Sequence, residues 1–150
     1  MYETTLTISL RPPFSLVMTV WVLGMRTKNN IDRFKDHTYS RILSLNNAPV
    51  ELTIKQIDAS RQQLEIKLRS HNKLSDEQQN NIKRLVSIMF GTRVNMKPFY
   101  ALAANDPALS QLVEQFYGMR PTRYPTIFEA LINAIACQQV SLDAGIATLN

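Results

Sequence analysis

Four segments of the chain alternate apolar and polar side chains with a period of two residues. They lie within residues 5–10, 39–45, 50–55 and 64–69, and the clearest apolar positions are Leu6, Ile8 and Leu10; Val50, Leu52 and Ile54; and Leu64, Ile66 and Leu68. This pattern is typical of antiparallel strands with one buried and one solvated face. Asn46-Asn47 and Asp58–Ser60 lie between such segments and predict turns. The first part of the chain is therefore predicted to form an antiparallel sheet.

Two helices are predicted to cover one face of this sheet. The first follows Pro12-Pro13 and runs from residue 14 or 15 to about residue 24, with an apolar stripe made by Leu16, Val20 and Leu23. The second begins with a capping box formed by Ser75 and Gln78 and ends at Gly91. Its apolar stripe consists of Ile82, Leu85, Val86 and Met89. A sheet needs such a cover to bury its apolar face, so an α+β unit is expected to about residue 95.

From about residue 95 onward the apolar period is helical. Asp106-Pro107 predicts the start of a helix with the stripe Leu109, Leu112, Val113 and Phe116, and Gly118 predicts its end. Thr126 and Glu129 predict a second capping box, for a helix whose inward face is Phe128, Leu131, Ile132 and Ile135. Ser141 predicts a further helix that is still running at the last residue, so we expect the front part of a longer protein. The fold class is α+β, with domains at 1–95 and 96–150.

The net charge of +5 is unevenly distributed. Residues 101–150 hold two basic and four acidic side chains, a net of −2, so residues 1–100 carry +7. A basic first part is compatible with a polyanionic partner or with an ordinary solvated surface. The single cysteine, Cys137, excludes an intramolecular disulfide and argues for a reducing compartment. We see no signal peptide, and the longest apolar run, residues 14–25, is too short to span a membrane.

No catalytic constellation is complete in the sequence. There is no glycine-rich phosphate loop, no metal-spaced set of Cys or His, and no Ser-His-Asp arrangement. Basic spots with nearby aromatic residues occur at 33–35, 83–84 and 93–97, as in single-stranded nucleic-acid binders but also on many ordinary surfaces. Gln138-Gln139 ends a helix just before another begins. These amides either satisfy free carbonyls of the helix end or are offered to a ligand, and spacing alone does not decide.

The last quarter of the chain resembles a known family. Arg120-Pro-Thr-Arg-Tyr-Pro-Thr-Ile-Phe-Glu-Ala-Leu-Ile-Asn-Ala-Ile-Ala-Cys-Gln-Gln-Val-Ser141 is similar to the opening of the helix-hairpin-helix DNA glycosylases, nearest to bacterial DNA-3-methyladenine glycosylase II. Leu10-Arg-Pro-Pro-Phe14 and Tyr39-Ser-Arg-Ile-Leu43 resemble the family's N-terminal domain. The resemblance implies a sheet domain like half of the TATA-binding protein. It is most specific in 128–131 and 138–141.

The resemblance also implies a function and a set of site residues. Family members flip an alkylated purine out of double-stranded DNA and hydrolyse its N-glycosidic bond, with no metal or organic cofactor. Gln139, with Gln138 beside it, is the expected wedge that enters the gap left by the flipped base. Trp21 is a base-pocket candidate, or equally a core tryptophan. The sequence does not identify other DNA-contacting residues. A cytoplasmic, nucleoid-associated bacterial monomer with no membrane partner is implied.

The chain departs from the family pattern in two ways. It lacks the Leu-Pro-Gly-Val-Gly type hairpin that grips DNA, and it lacks the catalytic aspartate, because Asp143 falls at the wrong place in the pattern. The chain alone is therefore expected to be inactive. Two alternatives stay open: an enzyme of the 8-oxoguanine type, because that branch carries a similar N-terminal domain, and a non-catalytic DNA-binding or scaffold module.

Overall fold

The computed structural model describes residues 1–24, 30–58 and 62–149. The strands and helices follow the order β1 (Tyr2–Ser9), α1 (Leu16–Gly24), β2 (Arg33–Lys35), β3 (Thr38–Leu45), β4 (Ala48–Asp58), β5 (Gln63–Ser70), α2 (Asp76–Met89), α3 (Lys97–Ala103), α4 (Pro107–Gln115), α5 (Ile127–Ala136) and α6 (Leu142–Leu149). The predicted α+β class, a sheet followed by helices, is confirmed. Among the described residues, no helix combines the length and the apolar character needed to span a membrane.

The strands form one antiparallel sheet in the order β1-β5-β4-β3-β2. The predicted turn at Asn46-Asn47 is confirmed, because both residues have positive φ and join β3 to β4 as a two-residue hairpin. The predicted turn at Asp58–Ser60 lies largely outside the described residues, although Asp58 still belongs to β4. The strand β2 was not predicted; it pairs with β3 through a two-residue turn at Asp36-His37.

One core lies between the sheet and the helices α1 and α2. Its strand residues are those that the alternation placed inward, and Leu52, Ile54, Leu64, Ile66 and Leu68 are completely buried. The predicted stripes are also confirmed where they are described: Leu16 and Val20 of α1 and Ile82, Val86 and Met89 of α2 are buried, with Leu85 partly buried against them. The side chain of Leu23 lies outside the description. The capping box at Ser75 and Gln78 is present.

Arg120 connects the segment after α4 to the start of α1. Its side chain is buried, and the guanidinium donates to the carbonyl oxygens of Val94 at 2.8 Å and of Arg11 and Pro13 at 2.7 Å each. Burial lowers the pKa of Arg120. Gly118 lies beside it with φ +84°, and a Cβ there would approach the Ser15 nitrogen to 3.0 Å. Residues 118–120 are thus packed tightly against the sheet domain.

The predicted inward face of α5 is wrong for this chain. Phe128, Leu131, Ile132 and Ile135 are 73%, 56%, 39% and 65% exposed. The α4 stripe is likewise only partly covered, and Leu112 is 51% exposed. The helices themselves begin as predicted: the Asp106 carboxylate accepts from two amides of α4, and the Thr126 hydroxyl accepts from the Glu129 amide of α5 at 3.1 Å. The sequence predicted the starts of α4 and α5 correctly and their burial incorrectly, and it did not predict α3.

Candidate nucleic-acid interface

The bend between α5 and α6 carries the two glutamines singled out in the sequence. Gln138 and Gln139 are both exposed, and the backbone of Gln139 adopts φ +59°. Left-handed backbone is uncommon for a residue other than glycine, asparagine or aspartate. The backbone N–H of Gln138 donates to the carbonyl oxygen of Ile135 at 3.1 Å, which closes the end of α5. Backbone groups therefore close the helix end through Gln138, and both side chains reach solvent.

A close approach of the two helices holds this bend. Gly145 of α6 is buried, and a Cβ added there would lie 2.7 Å from Cys137 Sγ and 2.8 Å from the carbonyl oxygen of Ala136. Any larger residue would push α6 away from the end of α5. The Ser141 hydroxyl accepts from the Ala144 amide at 3.3 Å, as predicted for the start of α6. Gly145 was not singled out from the sequence, because a glycine inside a helix gives no sign of what it faces.

A buried charged cluster joins α5 to the sheet. The Arg41 side chain of β3 is 5% exposed and lies 3.1 Å from Asp32 Oδ1. Its Nη2 atom donates to both oxygens of Glu129, at 2.9 and 3.0 Å. The Tyr39 hydroxyl also donates to Asp32 Oδ1. Because Arg41 takes the Glu129 carboxylate, the second half of the capping box predicted with Thr126 does not form.

Burial and neighbouring charges change the protonation of this cluster. Desolvation, followed by the charge of Asp32, raises the pKa of Tyr39 well above its ordinary value of 10.0. Burial alone would lower the pKa of Arg41, but Tyr39, Asp32 and Glu129 outweigh that effect and the pKa is raised. The phenol therefore stays protonated and Arg41 stays cationic at neutral pH. The cluster is a positioning device for α5 rather than a source of protons.

Trp21 lies on α1 and is not a core tryptophan. It is 43% exposed, and its ring centroid lies 5.6 Å from that of Phe116, which follows α4. Phe116 also lines a groove of about 350 Å³ whose walls are mostly apolar and aromatic, with Phe99, Tyr100 and Leu112 among them. The structure thus brings Trp21 and Phe116 together. In the sequence, Phe116 is part of the apolar stripe of α4, and its pairing with Trp21 has no local signal.

The side chains described above at the bend between α5 and α6 do not include a catalytic acid–base pair. His37 and His71 are exposed, and within residues 1–24, 30–58 and 62–149 no three His, Cys, Asp or Glu side chains are grouped closely enough to hold a metal ion. Asp143 is an exposed residue in the first turn of α6. The arrangement can present amides and aromatic rings to a ligand, which is a binding role.

Comparisons with known proteins identify the family. A family model described as the AlkA N-terminal domain matches residues 5–125. The DNA-3-methyladenine glycosylase of Bacillus subtilis (strain 168) is 40% identical over 48 residues, which are 32% of this chain and 16% of that protein. A solved structure, the 3-methyladenine DNA-glycosylase from Archaeoglobus fulgidus, matches with a TM-score of 0.79 and 16% identity over 94% of this chain and 47% of its own.

These matches differ in what they carry. At 16% identity the Archaeoglobus structure shows a shared fold, and this chain spans only a part of both relatives. The family match begins at residue 5 and extends beyond residue 95, where the domain boundary was predicted. It includes the sheet, α1 to α4 and the Arg120 contacts. The resemblance inferred from the sequence is confirmed. Because the family model matches most of the length of this chain, the chain belongs to the AlkA N-terminal domain family.

Proposed function

We propose that this chain is the N-terminal part of a DNA glycosylase. The enzyme would remove alkylated purines of the 3-methyladenine type from double-stranded DNA by base flipping and N-glycosidic hydrolysis. The observation that carries the proposal is the family match over residues 5–125. The names of the Bacillus and Archaeoglobus relatives supply the substrate class. The chain contributes the sheet domain and the helices up to the glutamine bend. We assign no catalytic residue to it and expect it to release no base by itself.

Gln139, with Gln138 beside it, is the proposed DNA wedge. Three features support this role: both amides are exposed, the Gln139 backbone is left-handed, and Gly145 holds α6 against the end of α5. Uncommon backbone conformations concentrate at ligand sites. An amide at that place can hydrogen-bond the base left without a partner when its neighbour is flipped out.

Trp21 remains the proposed contribution of this chain to the base pocket. Its partial exposure and its contact with Phe116 support the role, because two aromatic faces lie near one another at the surface. Alkylated purines are cationic, and cations are attracted to the faces of aromatic rings, tryptophan most strongly. The division into domains at 1–95 and 96–150, the monomeric state and the cytoplasmic, nucleoid-associated location are further parts of the same proposal.

The two alternatives have less support. The relatives described above are both named for 3-methyladenine, and nothing in these matches supports an enzyme of the 8-oxoguanine type. A non-catalytic DNA-binding or scaffold module would bind DNA through the wet face of the sheet and the basic spots. That face carries Lys67 and Arg69, but the first lies 3.8 Å from Glu65 and the second 3.5 Å from Glu51. Paired charges of this kind favour an ordinary solvated surface.

The test is base release from methylated DNA by the gene product that contains this chain. We expect release of 3-methyladenine, measured by chromatography of the freed bases. A protein that binds DNA yet releases no alkylated base would contradict the proposed activity. A protein that instead releases 8-oxoguanine would support the alternative enzyme.

The wedge is tested separately by Gln139→Ala in the same protein. We expect roughly a tenfold or larger loss in the rate of base flipping, followed with a fluorescent base analogue, and a smaller change in affinity for undamaged DNA. Gln138→Ala shows how the role is divided between the two amides. Gln111→Ala, an exposed amide of α4, is the matched control. Equal losses in flipping and in general affinity would count against the wedge.

A further inference from the structure

A groove with four basic side chains lies between β1 and α2. Its volume is about 800 Å³, and its basic residues are Lys83, Arg84, Arg93 and Arg123. We call it the basic groove. The sequence showed two of its parts as separate basic spots, at 83–84 and 93–97. The fold brings them together with Arg123, which is thirty residues further along the chain than Arg93.

Helix α2 and the turn that follows it form one side of the basic groove. Asn80, Lys83, Arg84 and Ser87 lie on one side of α2, three and four residues apart, while Ile82 and Val86 face the core. Gly91, with φ +57°, reverses the chain after the helix and places Arg93 beside it.

The remaining walls come from two other segments. The backbone N–H of Arg123 donates to the Met89 carbonyl oxygen at 2.9 Å, and this hydrogen bond holds Arg123 beside the end of α2. The edge strand β1 closes the other side with Thr7 and Ser9. Segments distant in the sequence therefore contribute to one surface.

The charge of the basic groove is uncompensated. No Asp or Glu lines it, and none of its four cations forms an ion pair with any described residue. Glu65 lies opposite Thr7 in the strand register, but it is not among the groove-lining residues and its carboxylate lies 3.8 Å from Lys67 Nζ. Four like charges around one concave surface repel each other and raise the local concentration of anions. An anionic ligand would relieve that repulsion.

The other lining residues indicate which anion fits. Three of the four cations are arginines, whose planar fork matches phosphate oxygens in a bidentate manner. The neutral donors Thr7, Ser87 and Asn80 are of the types that accompany arginine at DNA phosphates. No aromatic side chain lines the groove, so unstacked bases would find no ring on which to lie. These features favour a duplex, which presents its phosphates outward, over a single strand.

We infer that the basic groove binds consecutive phosphates of duplex DNA. The choice of DNA as the polyanion rests on the proposed function, whereas the anion-binding character rests on the four cations alone. The phosphate contacts add affinity that does not depend on sequence or on damage. The sheet domain thereby acquires a part in holding DNA, in addition to its contribution to the base pocket.

The experiment compares two double variants of the gene product that contains this chain, with equal loss of charge. Arg84→Gln with Arg93→Gln removes two exposed groove cations, and Lys67→Gln with Arg69→Gln removes two cations from the wet face of the sheet. All four side chains are exposed, so both proteins should keep the unfolding midpoint of the original. Binding to a short undamaged labelled duplex is measured by fluorescence anisotropy at several salt concentrations. A single strand, inorganic phosphate and poly-glutamate are tested as competitors.

We expect the groove variant to bind duplex at least about tenfold more weakly at low salt and to lower the salt slope by about two. The wet-face variant should differ little from the original. Equal losses in both variants, no duplex binding by the original at low salt, or stronger displacement by poly-glutamate than by duplex would each overturn the inference. Duplex binding that depends on the groove, without base release, would refute the proposed glycosylase activity and support the inference about the groove. Base release without groove-dependent duplex binding would support the activity and refute the inference about the groove.

Discussion

The sheet and the helix α5 carry equally regular apolar patterns, but the molecule buries only one of them. Leu52 of β4 and Val86 of α2 are completely buried, whereas Phe128 and Leu131 of α5 are 73% and 56% exposed. A period of two or of 3.6 residues tells which face of an element is apolar. It does not tell whether another part of the chain lies against that face. Burial is therefore a property of the partner as much as of the element.

The two regions meet at the Arg41 cluster. Arg41 and Asp32 are buried at the sheet side, and the Glu129 side chain on α5 is 22% exposed. A guanidinium taken out of water is tolerated only with well-placed charge partners. Because Phe128 and Leu131 of α5 are exposed, we expect the ion pair of Glu129 with Arg41 to contribute to the attachment of α5.

The largest difference is expected between Leu52→Ala and Leu131→Ala, which remove the same atoms in the two regions. The first leaves a cavity in a closed core and should lower the free energy of unfolding by about 3 kcal/mol. The second removes a side chain already in contact with water and should change it by less than about 0.5 kcal/mol. Urea unfolding followed by circular dichroism measures both. Similar losses in the two variants would show that the α5 face is covered in solution.

Much of the sheet region could be predicted from the sequence, because alternation is strict where one face is buried. Leu6, Leu52 and Ile66 were placed inward correctly. Arg41 is buried between Tyr39 and Leu43 on β3, and the sequence did not indicate this. β2 was missed because three residues are too few for a period. Its turn, Asp36-His37, contains no glycine to mark the positive φ angles.

The candidate site was less predictable. The resemblance pointed to Gln139, but nothing in the residue type announces a left-handed backbone. The contact of Trp21 with Phe116 and the assembly of the basic groove depend on chain segments that meet only after folding. The burial of α5 was predicted incorrectly because the pattern alone was taken to imply a partner. Long-range contacts of this kind carry no local signal in a single sequence.

Glu129→Gln should have the next largest effect. It keeps the shape of the side chain but removes one of the two carboxylates that neutralise Arg41. Because Glu129 is partly exposed, solvent screens the loss, and we expect about 1.5 kcal/mol in the free energy of unfolding. Glu114→Gln on α4 is the matched control, since Glu114 is exposed and forms no ion pair with a described residue. An effect no larger than that of the control would mean that the ionic contact does not hold α5.

Tyr39→Phe should have the smallest effect at neutral pH and a distinct effect in alkali. The variant loses the hydrogen bond to Asp32, at a cost of about 1 kcal/mol. The original protein gains a pH dependence from the raised pKa of Tyr39. Below pH 10 the phenol is protonated in both the folded and the unfolded state, so stability is unaffected. Above pH 10 the unfolded chain loses this proton while the folded protein keeps it, and stability falls as the pH rises.

The variant lacks this group, so its free energy of unfolding should decline less steeply above pH 10 and approach that of the original. Tyr117→Phe is the control, because Tyr117 is 58% exposed and its removal should leave the steep decline unchanged. Urea unfolding at several pH values between neutral and strongly alkaline measures all three proteins. Parallel curves for the original and Tyr39→Phe would show that Tyr39 ionises as easily in the fold as in water. The Arg41 cluster would then be open to solvent, and α5 would lie less firmly on the sheet than the ionic contact implies.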